Sequence, residues 1–203
     1  MTELWIATGN SKKHEELLRL LGPLGFVLRM QSEAPGAESV DEDQPDFAGN
    51  AAKKAISLAK LVQAPTVADD SGLCIDALDG RPGVHSARYA GDHATDAQRI
   101  DKVLSEMEEV PSAARSARFV CSICLADSGG RILTSIEETC EGFIAQTPSG
   151  ASGFGYDPIF VARAHINDNL SFAELTHDQK DIVSHRGRAL RRLVDWLANH
   201  EIQ

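Results

Sequence analysis

VADDSG, residues 67–72, sets two acids side by side directly behind a short apolar run. The longer text TVADDSGLCIDAL, residues 66–78, reads as a strand interrupted by Asp69, Asp70 and Gly72. Neighbours on a regular strand point to opposite faces, so either the backbone kinks at the acids or only one of them faces a site. An Asx turn is the plain alternative. Whether this is a turn or a site depends on the rest of the chain.

Toward the N-terminus, LWIAT (4–8) reads as a short buried strand closed by Gly9-Asn10. SKKHEELLRLLGPLG follows, with Leu17, Leu18, Leu20 and Leu21 at helical spacing and Gly22-Pro23 as the stop. FVLRM (26–30) suggests a second strand, and an acidic loop runs on to Asp46. Phe47, Ala51, Ala55, Ile56, Ala59 and Val62 mark one face of a helix.

Toward the C-terminus, residues 80–94 form a glycine-rich loop, and Thr95 with Gln98 has the form of a capping box opening a helix. Residues 117–145 read as two strands joined at Ser128-Gly129-Gly130. A terminal helix is expected with Ile182, Val183, Ala189, Leu190, Leu193, Val194 and Leu197 on its apolar side. Strands alternating with helices, then a hairpin, predict an α/β fold with a mixed sheet, and one domain over 1–203.

The net charge of −10 argues against a broad footprint on nucleic acid or anionic lipid, while leaving room for a small anionic ligand at a local basic cluster. The opening residues carry no signal-peptide pattern and no stretch suits a membrane span. The CxxC of Cys121 and Cys124 lacks the punctuation of a zinc knuckle, so Cys74, Cys121, Cys124 and Cys140 are expected as packed free thiols of a reduced, cytoplasmic protein.

Four stretches could carry chemistry. In TGNSKK (8–13) a strand end, a helix start and two lysines present N–H groups, a dipole and cationic heads together, which suits phosphate. Solvated Lys12 and Lys13 on an ordinary turn would read the same way. Asp69, Asp70 and the acids Glu38, Asp41, Glu42 and Asp43 supply hard oxygens of the kind that hold Mg²⁺, and one carboxylate could take a proton from attacking water. The loop acids could equally be solvated. SGFGYDP (152–158) has glycines beside Phe154 and Tyr156, either of which could stack on a flat ligand; a plain hairpin exit is the alternative. Lys180, His185 and Arg186 lie near the terminal helix start, off its apolar ladder through Ile182, Ala189 and Leu193, and so either face a ligand or solvent.

ATGNSKK, ADDSGL, RPGVHSARYAG, SGFGYDPIF and SHRGRAL, in this order, strongly resemble the inosine/xanthosine triphosphate pyrophosphatases, the Ham1-like family, over about residues 4–197. The resemblance implies a long mixed sheet with two lobes, a nucleotide cleft between them, and a homodimer. It implies Mg²⁺-dependent hydrolysis of ITP, dITP and XTP, non-standard purine triphosphates, to the monophosphate and pyrophosphate. Carried over, Thr8, Gly9, Asn10 and Lys13, with Ser11 and Lys12 in the same turn, would bind the triphosphate, and Lys54 would reach toward it. Asp70 would be general base and metal ligand, Glu42 a second metal ligand, Asp69 a support for the metal, and Ser71 a substrate contact. Phe154, Gly155, Tyr156 and Asp157 would wall the nucleoside, with Lys180, His185 and Arg186 closing over the base. Gly49 departs from the pattern, since the family often has an acid there.

Two rival readings remain: a Maf-like pyrophosphatase of modified nucleotides, sharing the metal logic, and a non-catalytic nucleotide sensor, which would need no general base.

Overall fold

The computed structural model describes residues 3–202. Its sheet has six strands: β1 (Glu3–Ile6), β2 (Val27–Met30), β3 (Thr66–Ile75), β4 (Ser116–Ala126), β5 (Ile132–Ile144) and β6 (Phe160–Ala162). They lie in the order β2-β1-β3-β4-β5-β6. β1 pairs parallel with β2 and β3, and β5 pairs antiparallel with β6, so the expected mixed α/β sheet is present. The helices are α1 (Ser11–Leu21), α2 (Phe47–Val62), α3 (Asp96–Glu106), α4 (His177–Val183) and α5 (His185–Asn199). Among the described residues no helix is long and apolar enough to cross a membrane.

The chain divides into two compact units. The first runs up to Asp70 and adds Cys121–Glu138 and the chain from Arg188 on; the second takes Ser71–Val120 and Thr139–Gly187. In the first unit, strand alternation sorts two cores. Leu4, Ile6, Val67, Cys121, Ile123 and Leu125 pack with Leu17 and Leu21 of α1 and Leu190 and Leu193 of α5. Their neighbours in sequence, Ala68, Cys124 and Ala126, pack with Ala51, Ala55, Leu58 and Ala59 of α2. α1 and α2 therefore cover opposite faces of this part of the sheet.

The second unit has one core, in which Leu73 and Ile75 meet Ile100, Val103 and Met107 of α3 together with Phe119, Phe160 and Phe172. Arg115 is buried here without a carboxylate; its guanidinium donates to the carbonyls of Ile144, Ala145 and Met107 at 2.8–3.1 Å. It thereby ties the end of α3 to the end of β5.

Three expectations need correcting. β3 is unbroken from Thr66 to Ile75, so the acids neither interrupt nor end the strand. Both are buried within it, Asp69 at 1% and Asp70 at 4% exposure, because each meets a lysine. The terminal helix is two helices: Ser184 ends α4, and its Oγ accepts the Gly187 N–H as a cap for α5. Ile182, expected on the apolar ladder, is 66% exposed on α4. The four cysteines are free thiols, and burial pushes the Cys124 thiol up to about 11.

Candidate active site

In the first unit the alternation of β3 aims its two acids at different helices. Asp69 shares the side of Val67, and its Oδ2 lies 3.0 Å from Lys13 Nζ of α1. Asp70 shares the side of Ala68, and its Oδ1 lies 3.0 Å from Lys54 Nζ of α2. Lys54 Nζ is also 3.0 Å from Glu42 Oε1, so one ammonium joins the two acids. The Lys13–Asp69 and Lys54–Asp70 pairs were not legible as contacts in the sequence, but each follows from which helix covers which face.

Burial lifts the Asp70 carboxyl above the ordinary range, against the opposing pull of Lys54 and Lys13. Burial by itself would lower the Lys54 ammonium, yet the carboxylates of Asp70, Asp69 and Glu42 outweigh it and hold the group above its usual value. A carboxylate that stays basic beside a fixed cation is suited to accepting a proton.

Asn50 was not singled out from the sequence. It is buried on α2; its Nδ2 donates to Asp70 Oδ2 at 3.0 Å, and its Oδ1 accepts the Gln44 N–H at 3.0 Å. It therefore ties the acidic loop to Asp70. An amide among the alanines of an apolar helix face was the available signal. Lys53, next to Lys54, donates to the Asp41 carbonyl and to Asp43 Oδ1, both at 2.9 Å, fixing the residues on either side of Glu42.

Glu42 and Asp70 turn hard carboxylate oxygens toward the same cation, the Lys54 ammonium, each at 3.0 Å, and oxygens of this kind are the donors that suit Mg²⁺. Among the described residues no group of three or more His, Cys, Asp or Glu side chains is arranged to hold a metal ion. Glu42 and Asp70 are brought together by Lys54, while Asp69 turns to Lys13.

The turn before α1 is organised by Asn10, whose Oδ1 accepts the N–H groups of Lys12 and Lys13 at 2.9 and 3.2 Å. Thr8 Oγ1 in turn accepts the Asn10 N–H at 3.2 Å. The Lys12 and Lys13 amides expected to face phosphate are thus taken up by this cap. Gly9, Asn10, Ser11 and Lys12 are exposed, and Lys12 pairs with Glu15 at 3.7 Å.

In the second unit, Arg186 Nη2 donates to Ser71 Oγ at 2.6 Å, and its Cζ lies 5.6 Å from the centre of the Phe154 ring. Lys180 Nζ lies 5.0 Å from that ring and 2.6 Å from Asp157 Oδ2. His185 stacks on Phe119 with ring centres 4.7 Å apart. Lys180, His185 and Arg186 are all buried, so the solvated basic face is overturned: carboxylate, hydroxyl and aromatic partners hold them inside.

Of the two aromatic candidates for stacking, Tyr156 is withdrawn. It is 3% exposed in the core, and its hydroxyl donates to the Ser86 carbonyl at 2.9 Å. Phe154, half-buried, remains. Asp157 is also structural, since its Oδ2 accepts the Phe154 N–H at 2.9 Å. Gly153 precedes this clamp at φ +78°, and a Cβ there would run into the Asp157 carboxylate.

The model of the Ham1 family matches residues 4–196. The chain belongs to the Ham1 family. This Ham1 chain is 46% identical over 197 residues to a dITP/XTP pyrophosphatase of Halalkalibacterium halodurans, covering 97% of this chain and 100% of that one. It is 45% identical to the dITP/XTP pyrophosphatase of Geobacter sulfurreducens, over 97% of each. Among solved structures, a HAM1 protein from Coxiella burnetii superposes with a TM-score of 0.89 at 41% identity, over 98% of this chain and 100% of that one.

Proposed function

We propose that this Ham1 chain hydrolyses the non-standard purine nucleoside triphosphates ITP, dITP and XTP to the monophosphate and pyrophosphate, with Mg²⁺, removing them from the precursor pool. The observation that carries the reading is the buried, basic Asp70 carboxylate held by Lys54 and Asn50. The dITP/XTP pyrophosphatases at 45–46% identity over nearly the full length support it.

In this reading Asp70 takes the proton of the water that attacks the α-phosphorus, and the bond to the oxygen bridging the β-phosphorus breaks with its electron pair leaving on pyrophosphate. Lys54 and Asn50 fix the plane of that carboxylate, and each of its oxygens keeps a further lone pair for the water. Lys13, at the start of α1, faces the phosphates together with Thr8, Gly9 and Asn10. Magnesium, when bound by Glu42 and Asp70, would offset the charge of the triphosphate.

At the base, Phe154 supplies the stacking face and Arg186 a donor. Inosine and xanthine present a 6-oxo acceptor where adenine presents an amino donor, so a buried donor left unpaired by adenine discriminates on the order of 10⁴. The net charge of −10 opposes nucleic acid or membrane as partner, and a free nucleotide would be met by local cations such as Lys13. A cytoplasmic homodimer completes the reading, and light scattering on the eluting protein would give one or two chains.

The test is pyrophosphate and orthophosphate release from ITP, XTP, dITP, GTP, ATP and dTTP, with and without Mg²⁺. Pyrophosphate from ITP and XTP, little from ATP or GTP and none without metal, is expected. Pyrophosphate mainly from pyrimidines would favour the Maf-like reading, and tight ITP binding without turnover the sensor.

A further inference from the structure

We infer that Asp96, on the first turn of α3, is a positioning residue for base recognition, holding the loop that presents Phe154. The inference rests on the reading of Phe154 and Arg186 as the base-binding end.

The first turn of α3 is capped without Asp96. Thr95 Oγ1 accepts the Gln98 N–H at 3.3 Å, and Gln98 Oε1 accepts the Thr95 N–H at 2.8 Å. The Asp96 carboxylate is therefore available for a distant partner. Its Oδ2 accepts the Gly155 N–H at 2.7 Å, across 59 residues of sequence, and its Oδ1 accepts from Arg99 Nη1 at 2.5 Å. A short N–H···carboxylate bond of this kind is stronger than a neutral one, and Arg99 limits the ways the carboxylate can turn.

Gly155 follows Phe154 directly, so two successive loop amides end on carboxylates of different elements: Phe154 on Asp157, Gly155 on Asp96. Asp157 and the Tyr156 hydroxyl bond fix the loop to its own unit's core. Asp96 adds the restraint immediately next to the stacking ring. Its own side chain is 46% exposed, while that of Arg99 is 18% exposed, so its removal costs the Arg99 guanidinium this partner as well as the Gly155 N–H. Losing it should loosen the ring while the loop stays folded.

Looser base contact weakens substrate and transition state alike, and that raises KM without lowering kcat. A mere loss of folded protein lowers apparent kcat and leaves KM alone. For the full chain with ITP and Mg²⁺, Asp96→Ala is expected to raise KM about tenfold, with kcat within about twofold of the parent. Competitive inhibition by IMP should weaken by the same factor. Asp96→Asn keeps an oxygen for the Gly155 N–H and should bring KM back to within about threefold of the parent. Thr95→Ala, which damages the same helix end without touching Gly155, should lower Tm and leave KM unchanged.

Overturning results are an Asp96→Ala enzyme with parental KM, an Asp96→Asn enzyme no better than Asp96→Ala, or a Thr95→Ala enzyme with the same KM rise. A parent chain that releases no pyrophosphate from ITP but turns over another nucleotide would remove the base-binding reading itself, and with it this inference. That failure is visible before any variant is made.

Discussion

Asp69 and Asp70 are consecutive on an unbroken strand, yet their carboxylates pair with lysines from helices on opposite faces of the sheet, Lys13 of α1 and Lys54 of α2. The period-two geometry of β3 thus separates two acids whose crowding would otherwise raise both. It is Asp70 whose carboxylate shares the Lys54 ammonium with Glu42.

Asp70→Asn should lower the rate of pyrophosphate release by about 10²–10⁴, the usual range for a positioned base. Stability should move the other way. Because the folded pKa of Asp70 is raised, the folded state holds that proton more tightly than the unfolded chain does. This stabilisation is complete in acid and lost as pH rises through the folded pKa, and the amide mimics the protonated form. Thermal melts should place the variant at or above the parent at pH 8, with the difference shrinking as pH falls toward the range of an ordinary carboxyl. A variant less stable at pH 8 would contradict it.

Lys54→Met removes the ammonium shared by Glu42 and Asp70. Leaving a buried carboxylate without its partner costs about 3 kcal/mol, to be read from urea unfolding. Mg²⁺ should recover more of that stability in the variant than in the parent, since the Lys54 ammonium no longer stands between the two carboxylates.

Asp157→Ala breaks the buried pair with Lys180 and strips the acceptor from the Phe154 N–H. The expected loss is about 3–5 kcal/mol by denaturant unfolding, because a buried ammonium loses its 2.6 Å carboxylate partner. Ile182→Ser, on the exposed side of α4, should change stability by under about 0.5 kcal/mol.

Arg186→Ala should erode the ratio of kcat/KM for ITP over ATP while Ser71 loses its donor. An unchanged ratio would place base recognition on another residue.

Gly49→Ala tests the position where the family often carries an acid. Alanine favours a helix by about 1 kcal/mol over glycine. A Cβ there would lie 2.8 Å from Gln44 Cβ, the rooted end of that side chain, and overpacking costs about 1–3 kcal/mol. The crowding should win, and the variant should melt below the parent.

The strands, the helices and the mixed sheet were legible because periodicity reports faces directly: Ala51, Ala55 and Ala59 on α2, Ile100 and Val103 on α3. The continuity of β3 was not, because acids inside a strand read as a break unless their lysine partners are known. Ile182 misled for a similar reason. Its spacing fits a single long helix, and the break after Val183 is made by a serine cap, with neither proline nor glycine to announce it. Lys13 and Glu42 stood out by residue type, and Lys54 through the family resemblance alone. Asn50 was passed over as part of a helix, and the reach of Asp96 to Gly155 was hidden behind the capping box that its neighbours form.

Residues 154–157 divide their duties. Phe154 stays half-buried beside Lys180 and Arg186, while Tyr156 and Asp157 point inward and carry the attachment to the core. Descent with modification can therefore act on position 154 almost alone, changing what this loop greets without reopening how it folds.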